Sequence, residues 1–199
     1  MKAVIFDLGK VLIDFDRDRT FAGLADVCTG VTRAELEAIV DEIHPEMAVG
    51  DLSAAEFHAA LCERAGAVAD FETFLTGYAA GIARNEAALA YALELQARPG
   101  VTVGIISNTN EAHVMHLDRL VPELNEFELV MMSNEIGMEK PDPDVYALAL
   151  ELLGITADDA LYVDDRPENV EGARAAGMAG IVHTGWAVTR PQIEAWLAR

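Results

Sequence analysis

Four polar clusters interrupt apolar stretches of this 199-residue chain, and their residue types form a short chemical inventory. Asp7 closes the apolar run 3–6, and Ser107-Asn108 closes 101–106. Lys140 follows the run 128–131 inside a Glu-Lys-Pro-Asp segment, and Asp164-Asp165 closes 160–163. Together they offer a carboxylate nucleophile, a hydroxyl beside a backbone N–H, a cation and a second carboxylate, which are the parts that phosphoryl transfer needs. Two acids facing one point suit Mg²⁺, a hard cation that takes oxygen ligands and keeps several waters. Ser107 and the N–H groups opening the next helix can cradle phosphate oxygens. Lys140 can neutralise charge that builds in the transition state.

The elements that must bring these residues together are legible in the same pattern. Apolar runs at 3–6, 101–106, 128–131, 160–163 and 180–182 lack alternation, as strands buried on both faces do, so a parallel sheet covered by helices is expected. Helical patterns between them are punctuated by Asp142-Pro143 and Gly154, by Arg166-Pro167 and Gly177, and by Pro99-Gly100. The expected fold is a doubly wound, Rossmann-like α/β core, in which the carboxyl ends of the strands line the ligand crevice. One stretch breaks the alternation. From the first strand to Arg84 only helical patterns occur (33–44, 54–64, 71–80), too long for a plain connection. We therefore expect a core of residues 1–14 and 85–199, with residues 15–84 as a small inserted α-helical cap.

Composition narrows the partners. Thirty-four acidic against 14 basic residues give a formal charge of −20, which repels nucleic-acid backbones and anionic membranes. A phosphorylated substrate must therefore meet a locally positive site. The hydrophobic fraction of 52% argues against disorder. Cys28 and Cys62 form neither a disulfide framework nor a metal spacing. No leader or bilayer-spanning run is seen, so a cytoplasmic protein acting on a small metabolite is expected, with its oligomeric state open.

The clusters also resemble, in order and spacing, the four motifs of the haloacid dehalogenase-like superfamily. These are Phe6-Asp7-Leu8-Gly9-Lys10-Val11-Leu12, Ile106-Ser107-Asn108, Glu139-Lys140-Pro141-Asp142 and Val163-Asp164-Asp165-Arg166-Pro167-Glu168-Asn169. Within it, Gly9 and Ser107-Asn108-Thr109-Asn110 most resemble bacterial sugar phosphatases of the α-D-glucose-1-phosphate phosphatase type. The resemblance implies a Mg²⁺-dependent phosphatase of a small phosphorylated metabolite, with Asp7 forming an aspartyl-phosphate. It implies Asp7, the Gly9 carbonyl and Asp165 as metal ligands, and Ser107, the Asn108 backbone and Lys140 around the phosphate. Asp164 and Asn169 would orient Asp165 and metal-bound water. The family's usual general acid, two residues after the nucleophile, is replaced here by Gly9.

Rival readings are a metal-independent 2-haloacid dehalogenase, which also uses an Asp nucleophile, and a non-enzymatic aspartate phosphoacceptor or scaffold. Asp165 argues against the first, and the order of the motifs against the second. Plainer readings apply elsewhere. His113 and His116 are expected to be solvated, Met131, Met132 and Met138 to fill core and loops, and Lys10 and Arg17 to lie at the surface. Trp186 and Trp196 are expected to pack the last helix, with His44, Glu46, Met47 and Trp186 as minor candidates for the cavity wall.

Overall fold

The computed structural model describes all 199 residues. The chain starts with β1 (Lys2–Phe6) and β2 (Ile13–Phe15), followed by α1 (Arg17–Val27) and β3 (Cys28–Thr29). Next come α2 (Arg33–Ala48), α3 (Ala54–Arg64), β4 (Ala67–Val68), α4 (Phe71–Tyr78) and β5 (Ile82–Arg84). The remainder alternates: α5 (Glu86–Gln96), β6 (Val101–Ser107), α6 (Glu111–Leu120), β7 (Leu129–Met132), α7 (Ser133–Ile136) and α8 (Pro143–Leu153). It ends with β8 (Ala160–Asp164), α9 (Pro167–Ala175), β9 (Ala179–Val182) and α10 (Trp186–Leu197).

Five strands form one parallel sheet in the order β7-β6-β1-β8-β9, so the fold is the expected doubly wound α/β core. Successive side chains of β1 take opposite faces. Val4 and Phe6 pack with Leu89 and Ile193 from α5 and α10, whereas Ala3 and Ile5 pack with Tyr146 and Ala173 from α8 and α9. Burial on both faces is what removed the alternation from the sequence.

Register sets the height of the chemistry. Phe6 pairs with Ile105 on one side and Val163 on the other, so the next residue on each strand, Asp7, Ile106 and Asp164, lies in one row at the carboxyl edge. The Asp7 N–H continues the ladder by donating to the Val163 carbonyl at 2.8 Å.

The stretch between β2 and β5 is helical but not wholly so, which corrects the sequence reading. β2 and β5 pair antiparallel, as do β3 and β4, in ladders too short to show a period. Helix α1 escaped the sequence reading because its charged residues outnumber its buried ones, only Thr20, Phe21 and Leu24 being buried. Helix α2 runs through Pro45 to Ala48, where Met47 is buried in the helices' own apolar cluster and Ala48 is buried beside it in sequence. Capping boxes at Thr32/Glu35 and Ser53/Glu56 start α2 and α3. That cluster reaches Ala112 on α6, and Glu111 on α6 accepts a hydrogen bond from the Ala54 N–H at 2.6 Å, so the four helices rest on the rim above the sheet's carboxyl edge.

Helices α1 and α4 approach so closely that a Cβ on Gly23 would stand 2.3 Å from the Gly77 carbonyl oxygen. Gly→Ala inside a helix ordinarily stabilises by up to about 1 kcal/mol. Here overpacking, which costs about 1–3 kcal/mol, should reverse the sign. Gly23→Ala is expected to lower the urea midpoint, and an unchanged or raised midpoint would show that the two helices can separate freely.

Candidate active site

Lys140 organises the carboxyl edge of the sheet. Its side chain is 1% exposed, and its ammonium donates to Asp7 Oδ1 at 2.6 Å, the Ile106 carbonyl at 2.7 Å and Asp164 Oδ2 at 2.9 Å. The loop carrying it is fixed by Asn108, whose side-chain amide accepts from the Lys140 N–H and donates to the Lys140 carbonyl, both at 2.9 Å. This side-chain role of Asn108 was invisible in the sequence, where only its backbone was a candidate. Ser133, also missed, holds the neighbouring turn by accepting from the Thr109 N–H and donating to the Thr109 carbonyl.

Two adjacent acids play different parts. Asp164 is fully buried, and its Oδ2 accepts from Lys140, from the Tyr162 hydroxyl at 2.6 Å and from Asn169 Nδ2 at 3.0 Å, while Oδ1 takes the Arg166 N–H at 2.8 Å. Burial opposes its ionisation, but Lys140 and these donors win and hold it below the usual carboxylate range. Its acceptor capacity is taken up within the protein. Asp165 is only part-buried, and its carboxyl is raised by burial and by Asp164.

Carboxylate oxygens of Asp7, Asp164 and Asp165 lie within 4.8 Å of one another. Three acids against one ammonium leave an excess of negative charge that a divalent cation would balance. Asn169 supplies an independent sign: its Oδ1 is buried without a partner on the cavity wall, an acceptor that a cation's water would satisfy. The oxygen-rich donor set fits Mg²⁺. Gly9 stands on a tight turn, in which the N–H groups of Val11, Leu12 and Ile13 all donate to the Leu8 carbonyl and Lys10 adopts a left-handed φ of 61°. A non-glycine residue in that region marks a backbone held by its surroundings.

Above this floor lies a cavity of about 510 Å³, bounded by Asp7, Gly9, Ser107, Asn108 and Lys140 below and by Phe15, Arg17, Asp41, His44 and Tyr78 from the helical layer. Asp7, Gly9, Ser107, Asn108, Lys140 and Asn169 line it as expected; Asp164 and Asp165 do not, and belong to the acidic cluster beside it. His113 corrects the expectation of a solvated ring, because it is a cavity-wall residue stacked on Tyr78 at 4.5 Å. Arg17 is exposed yet reaches the cavity mouth, paired to Asp41 at 2.8 Å, whereas Lys10 is at the surface as expected. Of the minor candidates only His44 lines the cavity. Met47 is core, Glu46 is exposed, and Trp186 donates to the Val11 carbonyl and packs on Phe6. No helix is long and apolar enough to cross a membrane.

Known proteins agree with this architecture. The sequence pattern of the family described as haloacid dehalogenase-like hydrolase matches residues 1–177. A phosphoglycolate phosphatase of Rhodospirillum rubrum is 32% identical over 195 residues, covering 91% of this chain and 78% of that protein. A D-ribitol-5-phosphate phosphatase of Bacteroides thetaiotaomicron is 27% identical over 191 residues, covering 89% of each. A haloacid dehalogenase family enzyme of B. thetaiotaomicron, solved with magnesium and inorganic phosphate, superposes with TM-score 0.83 at 24% identity, covering 94% of this chain and 98% of that one. A 2-haloacid dehalogenase of Pseudomonas syringae superposes with TM-score 0.72 at 26% identity, covering 100% and 99%.

Burial pushes the Asp7 carboxyl up to about 6, with Lys140 opposing and Asp164 adding to the rise. Because folding raises this pKa, the stability it contributes is complete below about 4 and is lost as pH rises through about 6. Asp7→Asn, uncharged at every pH, is therefore expected to melt a few degrees above wild type in EDTA at pH 8. The gap should shrink at pH 5. A variant melting at or below wild type at pH 8 would mean that Lys140 more than offsets the burial.

Proposed function

The chain belongs to the haloacid dehalogenase-like hydrolases, and on that premise we propose that it is a Mg²⁺-dependent phosphatase of a small sugar phosphate, with Asp7 as nucleophile. The observation that carries this reading is the acidic cluster of Asp7, Asp164 and Asp165 beside buried Lys140, with Asp7 and Lys140 on the floor of one cavity. Asp7, the Gly9 carbonyl and Asp165 would hold the metal, which when bound offsets the carboxylate charge and polarises the phosphoryl oxygens. Asp164 keeps its partners and orients the cluster.

In this mechanism Lys140 holds Asp7 ionised and oriented, and the Asp7 carboxylate attacks phosphorus in line with the leaving oxygen. The bond from phosphorus to that oxygen breaks as the aspartyl-phosphate forms, and water then hydrolyses the acyl phosphate. Ser107, the Asn108 backbone and Lys140 stabilise the phosphoryl oxygens. Residues 15–84 act as the cap, closing over the leaving group and excluding bulk water. The volume of about 510 Å³ exceeds what a phosphate alone needs and suits a leaving group of sugar size. The phosphatase relatives support the reaction class. The dehalogenase likeness keeps a second reading in view, against which the metal-suited acid cluster argues.

A panel of phosphate esters assayed with and without Mg²⁺ tests the proposal. Wild type should release phosphate only with the metal, Asp7→Asn should lose turnover, and Asp165→Asn should shift the Mg²⁺ requirement upward by about tenfold or more. Chloride release from 2-chloropropionate without Mg²⁺ would instead establish the dehalogenase.

Gly9 sharpens the substrate expectation. General acid catalysis is worth about 10²–10⁴-fold, so an enzyme without an acid at this position favours leaving groups that need little proton help. An anomeric oxygen is a better leaving group than a primary alkoxide, because the ring oxygen withdraws charge from it. Glucose 1-phosphate should therefore show a higher kcat/KM than glucose 6-phosphate, and a clear preference for the latter would sink the leaving-group argument.

A further inference from the structure

His113 has no part in the phosphate chemistry above, yet it lines the same cavity from α6. Asn110, the N-cap of that helix, accepts the His113 backbone N–H on Oδ1 at 3.1 Å. The capping bond fixes which way the amide faces, so its Nδ2 points to the ring Nδ1 at 3.3 Å and to the Tyr78 hydroxyl at 3.4 Å. An amide nitrogen only donates, so Nδ1 must accept, and the neutral ring carries its proton on Nε2. The ring is held flat against Tyr78 and edge-on to Phe15, whose centroid lies 6.0 Å away. Burial pushes its pKa down to about 4, so it is neutral at physiological pH.

Nε2 is buried and makes no well-aligned hydrogen bond, although the Tyr78 backbone carbonyl stands close enough to the ring to counter part of the effect of burial on its pKa. A buried N–H without an acceptor is costly, and one on a cavity wall is the kind of group that a ligand oxygen satisfies. Phe15 joins this wall to position 9. A Cβ on Gly9 would stand 4.0 Å from the Phe15 Cβ, so the missing side chain leaves space on the side of the cavity that Phe15 shares with His113.

We propose that His113 is a specificity-determining residue, whose Nε2–H donates a hydrogen bond to an oxygen of the leaving group and so favours hydroxylated leaving groups over aryl ones. The proposal rests on the phosphatase reading and deepens it. A site built around such a donor discriminates against a ligand that leaves it unpaired. The charged pair Arg17–Asp41 and His44 at the mouth give the same leaving group further polar partners.

The test compares glucose 1-phosphate with p-nitrophenyl phosphate, both with Mg²⁺, in wild type, His113→Phe and His113→Gln. Phe keeps a flat ring against Tyr78 but has no donor, and Gln restores an N–H near the place of Nε2. The ratio of the two kcat/KM values, sugar over aryl, should fall about tenfold or more in His113→Phe and recover most of that in His113→Gln. In the free protein, ¹⁵N spectra should show His113 protonated on Nε2. An unchanged ratio would overturn the proposal. So would an equal fall on both substrates with a lowered Tm, which would make the ring a structural tie to Tyr78. A proton found on Nδ1 would remove the donor whatever the enzyme hydrolyses. Wild type turning over neither ester would overturn the phosphatase reading and this one with it.

Discussion

An ammonium has three protons, and Lys140 places all of them inside the protein: on Asp7, on Asp164 and on the Ile106 carbonyl. A charge this deeply buried persists only when its partners repay the lost hydration, and here the repayment defines the site. The Ile106 carbonyl ties the cation to β6, Asp7 to β1 and Asp164 to β8, so one side chain spans three strands of the sheet. Asn108 fixes its backbone from the other side. Geometry at Asp7 is thus set by the sheet itself rather than by a loop.

The same arrangement explains why a strongly acidic protein is suited to an anionic substrate. Charge of −20 repels phosphate at long range, so attraction must be created within a few ångströms. Lys140 supplies one positive charge, and the excess carboxylates around it create demand for a divalent cation. Division of labour between Asp164 and Asp165 follows from burial. The inner acid is saturated with protein donors, and the outer one is only part-buried.

Above the floor, the cavity wall has a different chemistry. Phe15, Tyr78 and His113 form an aromatic wall, and Arg17, Asp41 and His44 ring the mouth. Close contact of α1 with α4 through Gly23 and Gly77 makes the helical layer a tightly packed body with its own apolar cluster. The cavity wall is therefore shared between two packing units, with Tyr78 in the helical layer's cluster and Phe15 packed against the sheet's.

The strands, their parallel arrangement and the chemistry at their ends were legible in the sequence, because burial on both faces leaves continuous apolar runs, with Asp7, Ser107-Asn108 and Asp164-Asp165 directly after three of them and Lys140 in the loop that follows a fourth. The helical stretch before Arg84 was legible by its length and by its patterns at 33–44, 54–64 and 71–80. Short ladders such as β2 with β5 were not, since three residues cannot display a period. Tertiary structure alone decided that the Asn108 side chain clamps Lys140 and that Asp164 is saturated while Asp165 is open. It alone decided that His113 is a part-buried wall residue stacked on Tyr78 rather than a solvated one. The roles of Asn108 and His113 depend on partners far along the chain, Lys140 and Tyr78, and Asp164 adds Lys140 to three local donors; local residue type carries no information about which distant group will arrive beside it.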